Sequence, residues 1–302
     1  MNVGIIGLGV MGSQIAIRLA QKGHQVTIFN RDKSKAEKLR TTSSINLNEA
    51  AQPVELGNNC DIAIICVKDY EAVANLSFEK GGLIETTNRH LVVIQSSTIS
   101  PDESDRVADI YSNKQINILS VPILGGVSAA ESGELTLIAA GSKKAYDRTE
   151  PVLKDISTQI FYIGSAHRTA SILKLAVNIN IALIALALAE GLVFVRGNEI
   201  DPETFVKILN STYFKTGISE NKGPKIVKDD YTTSFSLMNM VKDLDLAACT
   251  AAVSGLSLPA TTSAQAVYRA SKALGLTKKD YTSVASFMLK LNGFDTFERD
   301  RK

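Results

Sequence analysis

The chain has 302 residues, of which 45% are hydrophobic and 21% charged, with a formal net charge of +2. That length exceeds what one hydrophobic core usually organises, so two domains are expected, each able to bury a sizeable core. The even charge balance argues against nucleic acid as the main partner, and the composition is that of a folded globular chain rather than a disordered one.

The first thirty-five residues organise the rest. Met1 to Ile6 reads as an apolar strand that runs into Gly7-Leu8-Gly9-Val10-Met11-Gly12, and Ile15, Ala16, Leu19 and Ala20 then recur at helical spacing. Lys22-Gly23-His24 closes that helix, and Gln25 to Phe29 is a second strand. A Gly-x-Gly-x-x-Gly loop between a strand and a helix predicts a dinucleotide site. One glycine makes the tight turn, one admits the pyrophosphate, one lets helix and strand pack closely, and the helix N-terminus faces the negative charge. The residues after the second strand select the dinucleotide, because an acid there accepts from a ribose hydroxyl and an arginine accommodates a 2'-phosphate. Asn30 stands where the acid would be, and Arg31 offers a planar fork to phosphate, which favours NADP(H) over NAD(H). The competing reading is an ordinary solvated basic turn of Arg31, Lys33 and Lys35, with Asp32 among them to repel a phosphate.

Further along, Lys33 to Leu39 is expected to be a short helix and Asn46 to Ala51 another. Cys60 to Val67 follows as a continuous apolar strand of the kind a parallel sheet covers on both faces, with Val67 and Lys68 at its carboxyl end, where ligands gather. Leu91 to Gln95 is the next strand and delivers Ser96-Ser97-Thr98-Ile99-Ser100-Pro101, in which Ser100 before Pro101 signals a helix start. Strands are also expected over Asn117 to Pro122, Glu134 to Gly141 and Gln159 to Gly164. From about His167 helical spacing takes over, so the boundary is placed near Gly164-Ser165: a dinucleotide-binding domain over 1–164 and an all-helical domain over 165–302. Leu175 to Ala189 is almost wholly apolar but only about fifteen residues long, with Asn178 and Asn180 inside it, and a bilayer span needs about twenty. It reads as a helix buried on most sides or at a subunit interface, not as a membrane span. Phe297 to Lys302 reads as a solvated tail.

The cysteines, Cys60, Cys66 and Cys249, are odd in number and lack metal-type spacing, which suggests a reducing, cytoplasmic setting. The N-terminus is itself the first strand and is read as leaving no room for a signal peptide. His24, His90 and His167 are too scattered to suggest a metal site or a catalytic triad.

A nicotinamide domain followed by helices needs a proton donor or acceptor near the hydride, and Lys174 is the best candidate because Asn178 lies four residues on along the same helical face. A lysine against an apolar surface can titrate nearer neutrality and polarise a carbonyl oxygen. On spacing alone, a helix start with a solvated lysine is the commoner explanation of such a run. Gly125-Gly126 offers unblocked backbone N–H groups to a carboxylate, or is a plain glycine turn, and Lys242-Asp243 is by default a surface pair on an amphipathic helix.

Taken together, Gly7 to Gly12, Asn30-Arg31, Ser97 to Pro101, Pro122 to Gly126 with Gly133 to Thr136, Lys174 with Asn178, and Lys242-Asp243-Leu244 resemble, in order and spacing, the β-hydroxyacid dehydrogenases. That family includes 3-hydroxyisobutyrate dehydrogenases and glyoxylate/succinic semialdehyde reductases, and the resemblance covers nearly the whole chain. It implies an α/β Rossmann-like N-terminal domain joined by a long helix to an all-α C-terminal domain, and a homodimer or homotetramer. By the same resemblance Lys174 is catalytic and Asn178 helps hold substrate. Gly7, Leu8, Gly9, Val10, Met11, Gly12, Asn30, Arg31, Val67, Lys68, Thr98 and Lys242 bind the cofactor, and Leu124, Gly125 and Gly126 form the substrate-carboxylate loop.

Two departures concern the substrate. Leu124 replaces a serine common in that loop, removing a hydroxyl donor whose loss costs about 1 kcal/mol. Arg168-Thr169-Ala170 replaces a Gly-x-Gly just before the lysine, and Arg168 either supplies a charge for an acid or faces solvent. The expected activity is NADP-dependent hydride transfer between a small carbonyl compound, an aldehyde acid or 2-oxoacid, and its hydroxyacid. The alternatives are an NADPH-dependent imine reductase and a non-catalytic NADP-binding interaction protein.

Overall fold

The computed structural model describes residues 1–43 and 45–297. The chain forms two compact units, Met1–Lys174 and Leu175 onward. The division falls later than Gly164-Ser165 and inside a helix, because the first turns of that helix pack with the first unit.

The first unit alternates β1 (Asn2–Ile6), α1 (Val10–Gln21), β2 (Gln25–Phe29), α2 (Lys33–Thr42), β3 (Asn48–Glu49), α3 (Pro53–Asn59), β4 (Ile62–Ile65), α4 (Tyr70–Phe78), β5 (Val92–Gln95) and α5 (Pro101–Asn113). It continues with β6 (Asn117–Ser120), β7 (Ile123–Leu124), α6 (Val127–Ser132), β8 (Leu135–Gly141), α7 (Lys143–Ile156), β9 (Ser157–Tyr162) and the start of α8 (His167–Gly197). The strand order is β3-β2-β1-β4-β5-β6-β8-β7, with β9 paired to β8. Pairing is parallel from β3 to β6 and turns antiparallel where β8 meets β6 and β7.

Register sets where a ligand can go. Ile6 pairs with Phe29 and with Ile65, Ile65 with Gln95, and Gln95 with Ser120. Five strands therefore end level, and the loops that follow them leave the sheet along one edge. The strand order reverses at β1, whose neighbours are β2 and β4, which is the switch point where such sheets take ligands. The strands read as unbroken apolar runs because both faces are covered: Val3, Ile5, Ile62, Ile64, Val92 and Ile94 enter one core, and Ile6, Ala63, Ile65 and Val93 enter the other.

One local expectation fails and one helix was not foreseen. Asn46 to Ala51 contains the short edge strand β3, which pairs with β2, and the helix comes later, opened by Pro53. Asn-rich sequence there suits strand ends and turns, and the proline at the first helical position sets the true start. The helix at Tyr70–Phe78, capped by Asp69, has no counterpart in the sequence reading.

The second unit is helical among the described residues: the rest of α8, α9 (Pro202–Asn210), α10 (Gly217–Asn221), α11 (Gly223–Val227), α12 (Leu237–Val253), α13 (Pro259–Ala273) and α14 (Val284–Leu291). Its core includes Ala182, Leu192, Val206, Leu237, Met240, Leu244 and Tyr268. Phe297 also belongs to that core, fully buried, so the tail reading fails at its first residue; residues 298–302 lie outside those described. α8 runs 31 residues and is long and apolar enough to cross a membrane by length and composition. The asparagines that seemed to interrupt it are accommodated, Asn180 by bonding back to the Ala176 carbonyl. One side of it stays open, with Leu173 at 39% and Phe194 at 72% exposure.

A buried ion pair ties this unit together. Asp280 accepts from Lys222 Nζ at 2.9 Å, from the Ser234 and Phe235 backbone N–H groups, and from the hydroxyls of Ser234 and Thr282. Burial pushes its carboxyl up, but these donors outweigh burial and hold it below the ordinary value. A carboxyl that titrates lower folded than unfolded stabilises above about pH 4 and loses that contribution as pH falls through the lowered value. Asp280→Asn is expected to cost about 3 kcal/mol at pH 7 and to flatten the acid limb below about pH 4, read by thermal melts across pH.

Candidate active site

Two glycines of the first loop are required by the protein itself. Gly7 has φ of +101°, and a Cβ there would sit 2.4 Å from the Cys66 carbonyl; a Cβ at Gly12 would sit 2.0 Å from the Gly7 carbonyl. Gly9 is different: a side chain there meets no atom within 4 Å, so nothing in the fold demands its absence. A ligand drawn onto the backbone would. Gly9 is also the N-cap of α1, whose first turn carries no side-chain cap and no acid, so its N–H groups are suited to an anion. These features fit a dinucleotide pyrophosphate.

Asn30 links the loop to the turn after β2: its Oδ1 accepts the Leu8 N–H at 2.9 Å and its Nδ2 donates to the Asp32 carbonyl at 2.9 Å. Asp32 caps α2, accepting from the Ser34 hydroxyl and amide, which hold its carboxyl below the usual range. The acid that threatened to repel a phosphate is thus engaged with its own helix, while Arg31 is exposed.

At the ends of β4 and β5, the Val67 N–H donates to Ser97 Oγ at 3.0 Å, and the buried Gln95 side chain donates to the Ser97 carbonyl at 2.9 Å. Sequence reasoning singled out Thr98 and missed that Ser97 and Gln95 hold the loop beside it. The signal was a polar residue ending an apolar strand just before a Ser-Thr pair. Thr98 is half-buried and Lys68, paired with Asp69, is exposed.

The β7 strand carries the next part of the site. Leu124 joins a small apolar cluster with Ile138, Ala140, Ile163 and Ala170, the last on the first turn of α8. One turn further along, Lys174 is 8% exposed and donates from Nζ to the Ile123 carbonyl at 2.8 Å. It is therefore not the solvated lysine that spacing alone favours. After Leu124 the chain turns at Gly125, whose φ is +130°. Arg168 is exposed to solvent, and its guanidinium bonds Asp102 at 3.0 Å and Asp105 at 3.1 Å, while Asp105 also accepts the Arg168 backbone N–H. Beside it, His167 Nδ1 meets Ser120 Oγ at 3.0 Å, and burial pushes its imidazole below the ordinary value against the pull of Asp105 and Asp109. These contacts anchor the base of α8 to α5 and β6. The two departures from the family pattern, at Leu124 and at Arg168 to Ala170, thus meet as packing and an ion cluster at the foot of the helix that carries Lys174.

In the second unit, Asn178 is 2% exposed and donates from Nδ2 to Asp243 Oδ2 at 2.5 Å. Asp243 is 1% exposed, and its Oδ1 lies 2.7 Å from Lys242 Nζ without an aligned hydrogen bond. The surface-pair reading of Lys242-Asp243 fails because α12 turns Asp243 into the core, where only a partnered carboxylate is tolerated. Among the described residues no cluster of three His, Cys, Asp or Glu side chains could hold a metal ion.

Residues 2–164 match the NAD binding domain of 6-phosphogluconate dehydrogenase, and residues 169–288 match the NAD-binding domain of NADP-dependent 3-hydroxyisobutyrate dehydrogenase. The chain belongs to the β-hydroxyacid dehydrogenase family and is an NAD(P)-dependent dehydrogenase or reductase. It is 28% identical over 284 residues to glyoxylate/succinic semialdehyde reductase 1 of Arabidopsis thaliana, covering 94% of this chain and 97% of that protein. The solved 3-hydroxyisobutyrate dehydrogenase of Salmonella typhimurium superposes with a TM-score of 0.84 at 24% identity, covering 95% of this chain and 99% of that one. An imine reductase of Myxococcus stipitatus solved with NADP+ shares the fold at a TM-score of 0.64 and 20% identity, covering 95% of this chain and 100% of that one.

The contrast among the glycines is testable. Gly9→Ala is expected to leave the melting temperature within about 2 °C, as for an open surface change, while weakening dinucleotide binding about tenfold or more, 1.4 kcal/mol, in a fluorescence titration.

Proposed function

We propose that the enzyme is an NADPH-preferring reductase of small carbonyl compounds, aldehyde acids or 2-oxoacids, that runs reversibly as a hydroxyacid dehydrogenase. The observation that carries this reading is Lys174, a buried ammonium whose direction is set by its bond to the Ile123 carbonyl, in the strand that leads into Gly125-Gly126. Bound NADPH supplies the hydride to the carbonyl carbon. Lys174 polarises the carbonyl oxygen and gives it a proton, and takes the proton back in the oxidative direction. The backbone N–H groups of Gly125 and Gly126 hold the substrate carboxylate, and Asn178 orients the reacting end. Gly7 to Gly12, Val67, Lys68, Thr98 and Lys242 hold the cofactor.

NADP preference is supported by Arg31, exposed beside an Asp32 engaged in capping α2. Imine reduction is the second reading, favoured by the apolar cluster around Leu124. We further propose a cytoplasmic homodimer or homotetramer without membrane or nucleic-acid partners. Free cysteines at 60, 66 and 249 suit a reducing compartment, a second copy would cover the open side of α8 at Leu173 and Phe194, and Asn178, buried on α8 against Asp243 of α12, suits that helix to a protein core.

Lys174→Ala is expected to lower kcat at least about 100-fold, near 2.7 kcal/mol of barrier, with NADPH affinity within about threefold. Retention of more than about a tenth of the wild-type rate would show that Lys174 is not the acid. Arg31→Ala should raise KM for NADPH about tenfold or more and change KM for NADH less than about twofold, since a charge-assisted phosphate contact contributes roughly 1.5–3 kcal/mol. Steady-state assays of small aldehydes, 2-oxoacids and a cyclic imine with each dinucleotide separate the two chemistries.

A further inference from the structure

Three polar side chains gather where β6 leaves the sheet. Ser104 Oγ of α5 meets Ser120 Oγ of β6 at 3.0 Å, and Ser120 Oγ meets Nδ1 of His167, the first residue of α8, at 3.0 Å. Both serines are 2% exposed. Burying such groups gains little stability, since each internal hydrogen bond replaces one to water, but a satisfied chain fixes one arrangement of the elements that carry it. Here those elements include the foot of α8 and the segment that joins β6 to β7. A second bond joins the same two, from Lys174 Nζ to the Ile123 carbonyl at 2.8 Å. Lys174 stands two turns beyond His167, about 10.5 Å along a helix axis. Ile123 stands three residues beyond Ser120, about 10 Å for an extended chain. The spacings match, so helix and segment meet at both points together, and a slide of one along the other breaks both bonds.

We infer that His167 is a positioning residue: through Ser120 it sets the register of α8 against the segment between β6 and β7, and so the aim of the Lys174 ammonium. This rests on the reading that Lys174 is the proton donor. All the residues involved lie in the first unit. The other ties at the foot of α8 do not fix that register. Arg168 bonds Asp102 and Asp105 between exposed groups, and ion pairs in water hold a geometry weakly. The apolar cluster of Ala170 and Leu124 is non-directional and tolerates a slide. Between Ser120 and Ile123, the Val121 N–H donates to the Gln95 carbonyl at 2.8 Å and the Pro122 carbonyl accepts from the Ile138 N–H at 3.3 Å. Those bonds fix the segment to β5 and β8, which leaves its register with α8 to the polar contacts at Ser120 and Ile123. The consequence is catalytic because a reacting group misplaced by about 1 Å can lose about 100-fold in rate.

Steady-state kinetics on the full chain test this. His167→Leu is expected to lower kcat at least about fivefold while KM for NADPH stays within about twofold. His167→Asn, whose amide stands near the place of Nδ1 and can bond Ser120, should return kcat to within about twofold of the wild type, whereas His167→Gln, whose amide reaches the place of Nε2, should not. The triple variant Ser104→Ala/Ser120→Ala/His167→Leu removes the whole chain without leaving a buried partner unpaired, so it should fold and yet be as slow as His167→Leu. In a Lys174→Ala background, His167→Leu should cost no more than about a further twofold, because the group it aims is gone. The inference is overturned by a loss smaller than about fivefold in His167→Leu, by the same loss with and without Lys174, or by Asn and Gln variants of equal rate. Should the leucine variants not fold, the comparison of Asn with Gln decides. Failure of the parent reading looks different: Lys174→Ala itself would keep more than about a tenth of the wild-type rate.

Discussion

Everything at this site depends on a parallel sheet whose two faces are both buried. The parallel register brings the ends of five strands level, at Ile6, Phe29, Ile65, Gln95 and Ser120. Helices cover both faces, so the chain can leave each strand only at its end. The glycine loop, the Asn30 turn, Val67, the Ser97-Thr98 loop and the strand into Gly125 are therefore gathered along one edge, although they are scattered over more than a hundred residues of sequence. Chemistry concentrates there because every other part of the sheet is spent on packing.

The same economy explains the foot of α8. A helix that carries a buried ammonium needs a fixed starting point. Arg168 supplies one through Asp102 and Asp105, His167 through Ser120, and Ala170 through the apolar cluster with Leu124. Lys174 then meets the Ile123 carbonyl one turn later. Residues that look like departures from a substrate pattern are, in this chain, the supports of its central lysine.

Much of this was legible from the residues. Alternation of apolar side chains with glycine turns marked β1, β2, β4, β5, β6, β8 and β9, and the capping signal of Ser100 before Pro101 placed α5, where Ser100 and Glu103 form the full capping box. The failures share a cause. β3 is two residues long and exists only through its pairing with β2, α8 outlasts the apolar run that announced it, and Phe297 is buried by helices distant in sequence. None of these leaves a local pattern strong enough to read.

By itself the sequence determined the order of elements, the dinucleotide loop, the family to which the chain belongs and the residues that could carry chemistry, because turn geometry, helical spacing and the tolerance of glycine act over a few residues at a time. Only the tertiary structure decided which way those side chains are engaged. Asp32 turns to its own helix instead of a phosphate, Arg168 to α5 instead of a substrate, and Asp243 inward to the Asn178 amide instead of outward to water. The partner of a charged or polar side chain is set by what folding brings within 3 Å or so of it, and that distance has no counterpart along the chain.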